Sequence, residues 1–333
     1  MRHFLHIADY SPEELQYLLD LAVQLKKERQ RGGNRPVLKG KVLGMIFQKP
    51  SLRTRVSFDM AMRHLGGDAL YLSPDEIGLG KRESVADVAR VLSGYVDAIM
   101  ARTFSHRHIL ELAQWASVPV INGLTDYNHP CQALADALTI QEHKGRLKGL
   151  RVSYVGDGFN VAVSLLHICT KLGAHFTIAS PPGYELAPRP LELGQEFARE
   201  SGSQITLLND PREAVRGADV IYTDTWTSMG QEAEAEKRRA AFAGYTVNAE
   251  MLALARPDAI VMHCLPAHRG EEITDEVMDG PQSVVFPQAE NRLHAQKAIL
   301  VHLLAEKPQR TPARAAKVRK PAVRRKRTTA RRK

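Results

Sequence analysis

The sequence predicts an α/β fold of two doubly wound parallel-sheet domains linked by helices, with a disordered basic C-terminal tail. Three observations predict it. Short apolar runs alternate with amphipathic segments, the pattern of parallel strands covered by helices on both faces. The rhythm restarts after Lys148-Gly149, which divides the body into two α/β units. The composition then changes at residue 306. Residues 306–333 hold 13 Lys/Arg and one acid, a net of +12, and the other 305 residues hold 33 bases and 36 acids, a net of −3. The pI near 9.5 therefore belongs to the tail, and the body is mildly acidic.

The elements follow in order. Ser11-Pro12-Glu13-Glu14 is a capping box with proline at the first helical position. Leu15, Leu18, Leu19, Ala22 and Val23 follow at helical spacing. Strands are predicted at 42–47, 69–72, 96–100 and 118–121, with helices near 54–65, 83–94 and 106–115. In the second unit strands are predicted at 151–155, 175–179, 204–207, 220–223, 259–263 and 284–286. A last helix is predicted at 289–304. The Pro/Ala/Arg/Lys-rich segment beyond it lacks apolar periodicity and is expected not to fold. No apolar stretch of about 18 residues occurs, which excludes a membrane-spanning helix. Neither a signal peptide nor a transit peptide is visible at the start. Three scattered cysteines without a CxxC point to a reducing, cytoplasmic setting.

In open parallel sheets ligands bind beyond the carboxyl ends of the strands. After the first strand, Lys49-Pro50-Ser51-Leu52-Arg53-Thr54-Arg55 carries five donor-bearing side chains and runs into a helix. Helix-terminal N–H groups, hydroxyls and guanidinium forks suit a phosphate. Without a Walker A pattern, ATP is not the natural ligand. Arg102, His129 and Gln132 stand beyond strands of the same unit and are suited to polarise a carbonyl oxygen. Cys131 reads as packing. In the second unit Gly156-Asp157-Gly158-Phe159-Asn160 is a weak nucleotide-loop signal. Asp224 opens a polar loop through Gly230 where a carboxylate suits a cationic group. One His and one Cys at 263–264 are too few for a structural zinc site.

The segments SLRTR (51–55), ARTF (101–104), HPCQ (129–132), GDGFN (156–160), DTWTSMG (224–230), HCLPAHRGEEIT (263–274) and AENRLHAQKA (289–298) occur in order. Through them residues 3–305 resemble the ornithine carbamoyltransferases. The resemblance implies transfer of a carbamoyl group from carbamoyl phosphate to the δ-amine of L-ornithine, without metal or organic cofactor. It implies trimers or multiples of trimers, with active sites at subunit interfaces. A carbamoyl-phosphate domain at 1–147, joined by the returning helix 289–305, would face an ornithine domain at 148–288. Carbamoyl phosphate would be held by Ser51, Leu52, Arg53, Thr54, Arg102, His129, Gln132, Cys264, Leu265 and Arg292. Of these, Arg102, His129 and Cys264 would be catalytic. Asn160, Asp224, Ser228 and Met229 would hold ornithine.

Three departures stand out. Leu52 replaces the commoner Thr, Phe159 a second Asn, and Gly78 the Gln or His of a loop that reaches a neighbouring subunit, where Lys81 and Arg82 are candidates instead. An aspartate acceptor is disfavoured, because the loops lack arginines for a second carboxylate. Acetylornithine and putrescine are the alternative acceptors. A different class of reading makes the chain a nucleic-acid-binding protein acting through its tail. Such a tail binds polyanions in a salt-dependent way, but it has no aromatic residues for stacking.

Overall fold

The computed structural model describes residues 1–228 and 230–305; the expectations for Met229 and for the tail 306–333 fall outside them. The first unit runs α1 (Pro12–Gln30), β1 (Val42–Phe47), α2 (Leu52–His64), β2 (Asp68–Leu72), α3 (Pro74–Ile77), α4 (Val85–Ser93), β3 (Ala98–Arg102), α5 (His106–Trp115), β4 (Val120–Leu124) and α6 (Pro130–Lys144). The second runs β5 (Arg151–Val155), α7 (Asn160–Lys171), β6 (His175–Ala179), α8 (Pro188–Ser201), β7 (Ile205–Leu208), α9 (Pro211–Val215), β8 (Val220–Thr223), α10 (Ala235–Ala241), α11 (Ala249–Leu252), β9 (Ile260–His263), α12 (Asp275–Met278) and α13 (Val285–Leu304).

Both sheets are parallel, in strand orders β2-β1-β3-β4 and β7-β6-β5-β8-β9. Each order reverses once, between β1 and β3 and between β5 and β8. The connections leave in opposite directions there and open a crevice at the carboxyl edge. The segments 48–55 and 102–105 flank the first crevice, and 156–160 and 224–228 flank the second.

The capping box at Ser11 forms in full. One predicted strand does not. Residues 284–286 lie at the start of α13, after a single bridge from Ser283 to Val261 and a hydrogen bond from Val284 N to Val261 O. Pro287 explains the outcome. It cannot donate to a ladder, yet it is tolerated in a helix's first turn, where the N–H has no partner anyway. Strands β3 and β4 sit two residues later than predicted, so Arg102 ends its strand rather than following it.

Helices α6 and α7 are buried on nearly every side, as are Val285–Leu300 of α13 in large part. Helices without a polar face belong inside a protein. Here α6 packs on both α7 and α13, and α13 also lies against α1 and α2. Leu134, Leu138, Leu165, Leu166, Ile299 and Leu300 thus join one core that spans both units. Each such side chain contributes about 1.5–3 kcal/mol when fully buried. The same helices carry Gln132, Asn160 and Arg292, so the core holds those polar groups in place. Among the described residues no helix is long and apolar enough to cross a membrane.

Candidate active site

The two crevices meet in one cleft of about 530 Å³. Every described residue expected at the site lines it: Ser51, Leu52, Arg53, Thr54, Arg102, His129, Gln132 and Arg292 on one side, and Asn160, Asp224, Ser228, Cys264 and Leu265 on the other.

The first side is built on the N-terminus of α2. Ser51 is its N-cap, and its hydroxyl accepts from Thr54 N at 3.3 Å. The remaining first-turn N–H groups and the helix dipole point positive potential at the cleft. Thr54 is fully buried, and its Oγ1 accepts from Arg292 Nη2 at 2.9 Å and Arg102 Nη1 at 3.4 Å. With both guanidinium groups donating to that oxygen, the hydroxyl's own proton is left to donate elsewhere. Arg292 Nη1 donates to Gln132 Oε1 at 2.9 Å, and Gln132 Nε2 donates to Asp136 Oδ1 at 2.8 Å. Arginine only donates, so Gln132 Oε1 must face Arg292 and its amide nitrogen Asp136, which sets the orientation of the amide.

Electrostatics match an anionic ligand. Burial, then Arg292 and Arg53, lowers the Arg102 pKa to about 10. Burial also lowers that of Arg292. An incoming dianion would relieve both. His129 is buried, and burial with the nearby Arg292 and Arg102 holds its pKa well below 6.5. The imidazole is therefore neutral at pH 7, and its Nδ1 has no hydrogen-bond partner among the described residues. Lys49 joins this wall, with its ammonium 4.4 Å from the centroid of the Phe104 ring.

Arg55 does not join it. Its guanidinium lies 4.0 Å over the Tyr71 ring instead. Two residues on from Arg53, a helix has turned by about 200°, so Arg53 and Arg55 cannot serve one ligand together.

The second side owes its geometry to register. Thr223 pairs with His263, so the next residues, Asp224 and Cys264, emerge side by side. The Cys264 thiol donates to Asp224 Oδ1 at 3.0 Å, as does Thr225 N at 2.8 Å. Both bonds fall on Oδ1, which leaves Oδ2 for a cationic partner. Burial pushes both groups' pKa values up, the thiol further because of the adjacent Asp224. Leu265 holds a left-handed backbone, φ 61°, with its N–H bonded to His263 Nδ1 at 2.8 Å. Asn160 is fixed by donating to Thr125 O at 2.7 Å. Phe159 also lines the cleft. Gly158 precedes it because a Cβ there would stand 2.4 Å from the backbone of Glu185 and Leu186.

Thr225, Arg239, His268 and Glu271 also line the cleft. His268 and Glu271 belong to the segment 263–274, where only their proximity in space gives them meaning. Gly78 has its own explanation: at φ 55° it ends α3, a conformation other residues rarely adopt. Among the described residues, two groups offer metal-ligand atoms within 4.8 Å of one another: Asp224, His263 and Cys264, and His268, Glu271 and Glu272. Hydrogen bonds occupy much of both. His263 Nε2 meets Glu272 Oε1 at 3.0 Å, the Cys264 thiol meets Asp224, and Glu271 Oε1 meets Arg239 Nε at 2.9 Å.

Comparison with known proteins matches the chain in two parts. Residues 2–142 match the family model described as aspartate/ornithine carbamoyltransferase, carbamoyl-P binding domain, and residues 148–303 match the Asp/Orn binding domain. The ornithine carbamoyltransferase of Pyrococcus abyssi is 57% identical over 303 residues, 91% of this chain and 96% of that protein. That of Bacillus subtilis is 55% identical over 91% of this chain and 94% of its own length. The solved ornithine carbamoyltransferase of Pyrococcus furiosus superposes with a TM-score of 0.89 at 55% identity, covering 91% of this chain and 97% of that one. A cleft that sets phosphate-type donors against a buried carboxylate–thiol pair thus sits on a sequence matched along nearly its whole body, and the chain belongs to the aspartate/ornithine carbamoyltransferase family.

Proposed function

We propose that the chain transfers the carbamoyl group of carbamoyl phosphate to the δ-amine of L-ornithine, giving L-citrulline and phosphate. One observation carries the reading: a single cleft sets the anion donors around Thr54 against Asp224, whose hydrogen bonds leave one oxygen for a cation. The high identity to ornithine carbamoyltransferases supports it.

Carbamoyl phosphate lies with its phosphate on Ser51, Leu52 N–H, Arg53 and Thr54. Its carbamoyl group lies among Arg102, His129, Gln132 and Arg292. Asn160, Asp224, Ser228 and Met229 hold the amino-acid part of ornithine, with the free α-ammonium on Asp224. An N-acetylated acceptor lacks that ammonium, and putrescine lacks the carboxylate, so ornithine fits best. Cys264 and Leu265 flank the reacting atoms. The δ-amine, with an ordinary pKa near that of lysine, about 10.4, loses a proton before it attacks. Its lone pair adds to the carbamoyl carbon, and negative charge grows on the carbonyl oxygen. Arg102 and the neutral His129 donate to that oxygen. The C–O bond to phosphate then breaks, the extra proton on the attacking nitrogen passes to the departing phosphate, and phosphate leaves with its remaining charge held by Arg53 and the α2 terminus. Closure of the second unit on the first would exclude water from the labile donor.

This reading carries a 1–147 carbamoyl-phosphate domain with helix 289–305, a 148–288 ornithine domain, a cytoplasmic setting and a trimer or multiple of trimers. An exposed apolar row on α2 (Leu52, Val56 and Met60) supports association there. The test is direct. Purified chain with both substrates should release citrulline and phosphate in equal amounts, and Arg53→Ala should lose most of that activity. Phosphate release without citrulline would sink the proposal.

A further inference from the structure

Asp136 lies one helical turn beyond Gln132 on α6, fully buried, and no step above uses it. Its Oδ1 accepts two glutamine amides, Gln132 Nε2 at 2.8 Å and Gln288 Nε2 at 2.7 Å. Its Oδ2 accepts from the Tyr222 hydroxyl at 3.2 Å. The two glutamines lead in opposite directions. Gln132 takes Arg292, which reaches Thr54 in the anion wall. Gln288 Oε1 takes the N–H of His263 at 2.9 Å, the residue before Cys264. Tyr222 stands two residues before Asp224 on β8. One carboxylate is therefore bonded to the supports of both halves of the cleft.

We infer that Asp136 is a positioning residue shared by the two half-sites: through Gln132 it holds the carbamoyl-phosphate wall, and through Gln288 and Tyr222 it holds the ends of β8 and β9 that carry Asp224 and Cys264. The inference rests on the reading above for the identity of the two ligands. Its physical basis is that a buried amide N–H₂ deprived of its acceptor either stays unsatisfied or turns away. If Gln132 turns, Arg292 loses its acceptor. If Gln288 turns, the His263 N–H loses its own. Burial raises the Asp136 pKa to about 7. With a proton on Oδ2, Oδ1 still accepts both amides, so hydrogen-bond geometry is what matters rather than charge.

The test uses the full chain and three variants, Asp136→Asn, Asp136→Ala and Gln288→Met. Carbamoyl phosphate affinity is measured by cold calorimetric titration without acceptor, and ornithine KM by citrulline formation. D136N keeps an acceptor oxygen for both glutamines and should stay within about threefold of wild type in both. D136A should weaken carbamoyl phosphate and raise the ornithine KM, each about tenfold, the scale of one lost buried hydrogen bond. Q288M should raise the ornithine KM alone, leaving carbamoyl phosphate affinity within about twofold, a split that general loosening does not produce. Should D136A fail to fold, the D136N and Q288M results carry the test. The inference is overturned if D136A moves only one of the two quantities, if D136N is as impaired as D136A, or if Q288M weakens both ligands alike. Wild type that binds carbamoyl phosphate yet makes no citrulline refutes the ornithine reading instead.

Discussion

Replacing Thr54 by valine keeps the shape of a fully buried side chain and removes one oxygen. That oxygen accepts from Arg292 at 2.9 Å and, at the weak limit of 3.4 Å, from Arg102. A hydrogen bond to a charged group contributes about 1.5–3 kcal/mol, and only the shorter one merits that figure. The free enzyme should therefore lose about 1.5–3 kcal/mol of stability, or roughly 2–4 °C in Tm for a chain of this size. Phosphate offers Arg292 a substitute acceptor, so the deficit should shrink when phosphate is added. Catalysis should not recover in the same way, because the hydroxyl proton, left to donate by its two arginine partners, is lost. Its loss should lower kcat/KM for carbamoyl phosphate by about tenfold to a hundredfold. Thermal unfolding with and without phosphate, beside steady-state kinetics, reads all three effects. A Thr54→Val chain with unchanged Tm and kcat/KM within twofold of wild type would refute the reasoning.

Other outcomes follow from the same geometry. Burial lowers the pKa of His6 to about 3 and of His167 to about 4. The unfolded chain therefore binds their protons first, so their contribution to stability is full above about pH 6.5 and is lost as pH falls below it. At pH 5 the two together should cost about 4 kcal/mol relative to pH 8, measurable by urea unfolding; a flat profile would contradict it. Arg238 is buried against Asp157 at 2.6 Å and donates to Trp226 O at 2.9 Å. Arg238→Met should cost about 3–5 kcal/mol by leaving Asp157 buried without its partner, and it should raise the ornithine KM by loosening the segment after Asp224. Deleting residues 307–333 should leave citrulline formation intact and abolish salt-sensitive retention on DNA. Retention that survives the deletion would show that the tail is not its source.

The sequence made the strands, the two units and the loop chemistry legible because each depends on local pattern. Alternating apolar runs marked eight of the strands of both sheets to within one or two residues, and donors crowded into 49–55 marked one wall of the cleft. What stayed illegible depends on contacts across the chain. Arg55 looked equivalent to Arg53 until helical rotation and the Tyr71 ring separated them. The run 284–286 read as a strand because β-branched residues say nothing of the proline that follows them. Asp136 was one acid in a helix until Gln288, more than 150 positions away, closed on it. The pairing of Asp224 with Cys264 required the register of β8 and β9, which neither segment contains.

The central claim is that this cleft carbamoylates the δ-amine of free ornithine. The most direct measurement is the rate of carbamoyl transfer from carbamoyl phosphate to L-ornithine, N-acetylornithine and putrescine, compared as kcat/KM in one assay. The Asp224 oxygen left for an ammonium predicts L-ornithine ahead of N-acetylornithine by at least about tenfold, the scale of a charge-assisted hydrogen bond; putrescine keeps that ammonium and differs only by the missing carboxylate. Transfer to acetylornithine or putrescine with none to L-ornithine would contradict the account.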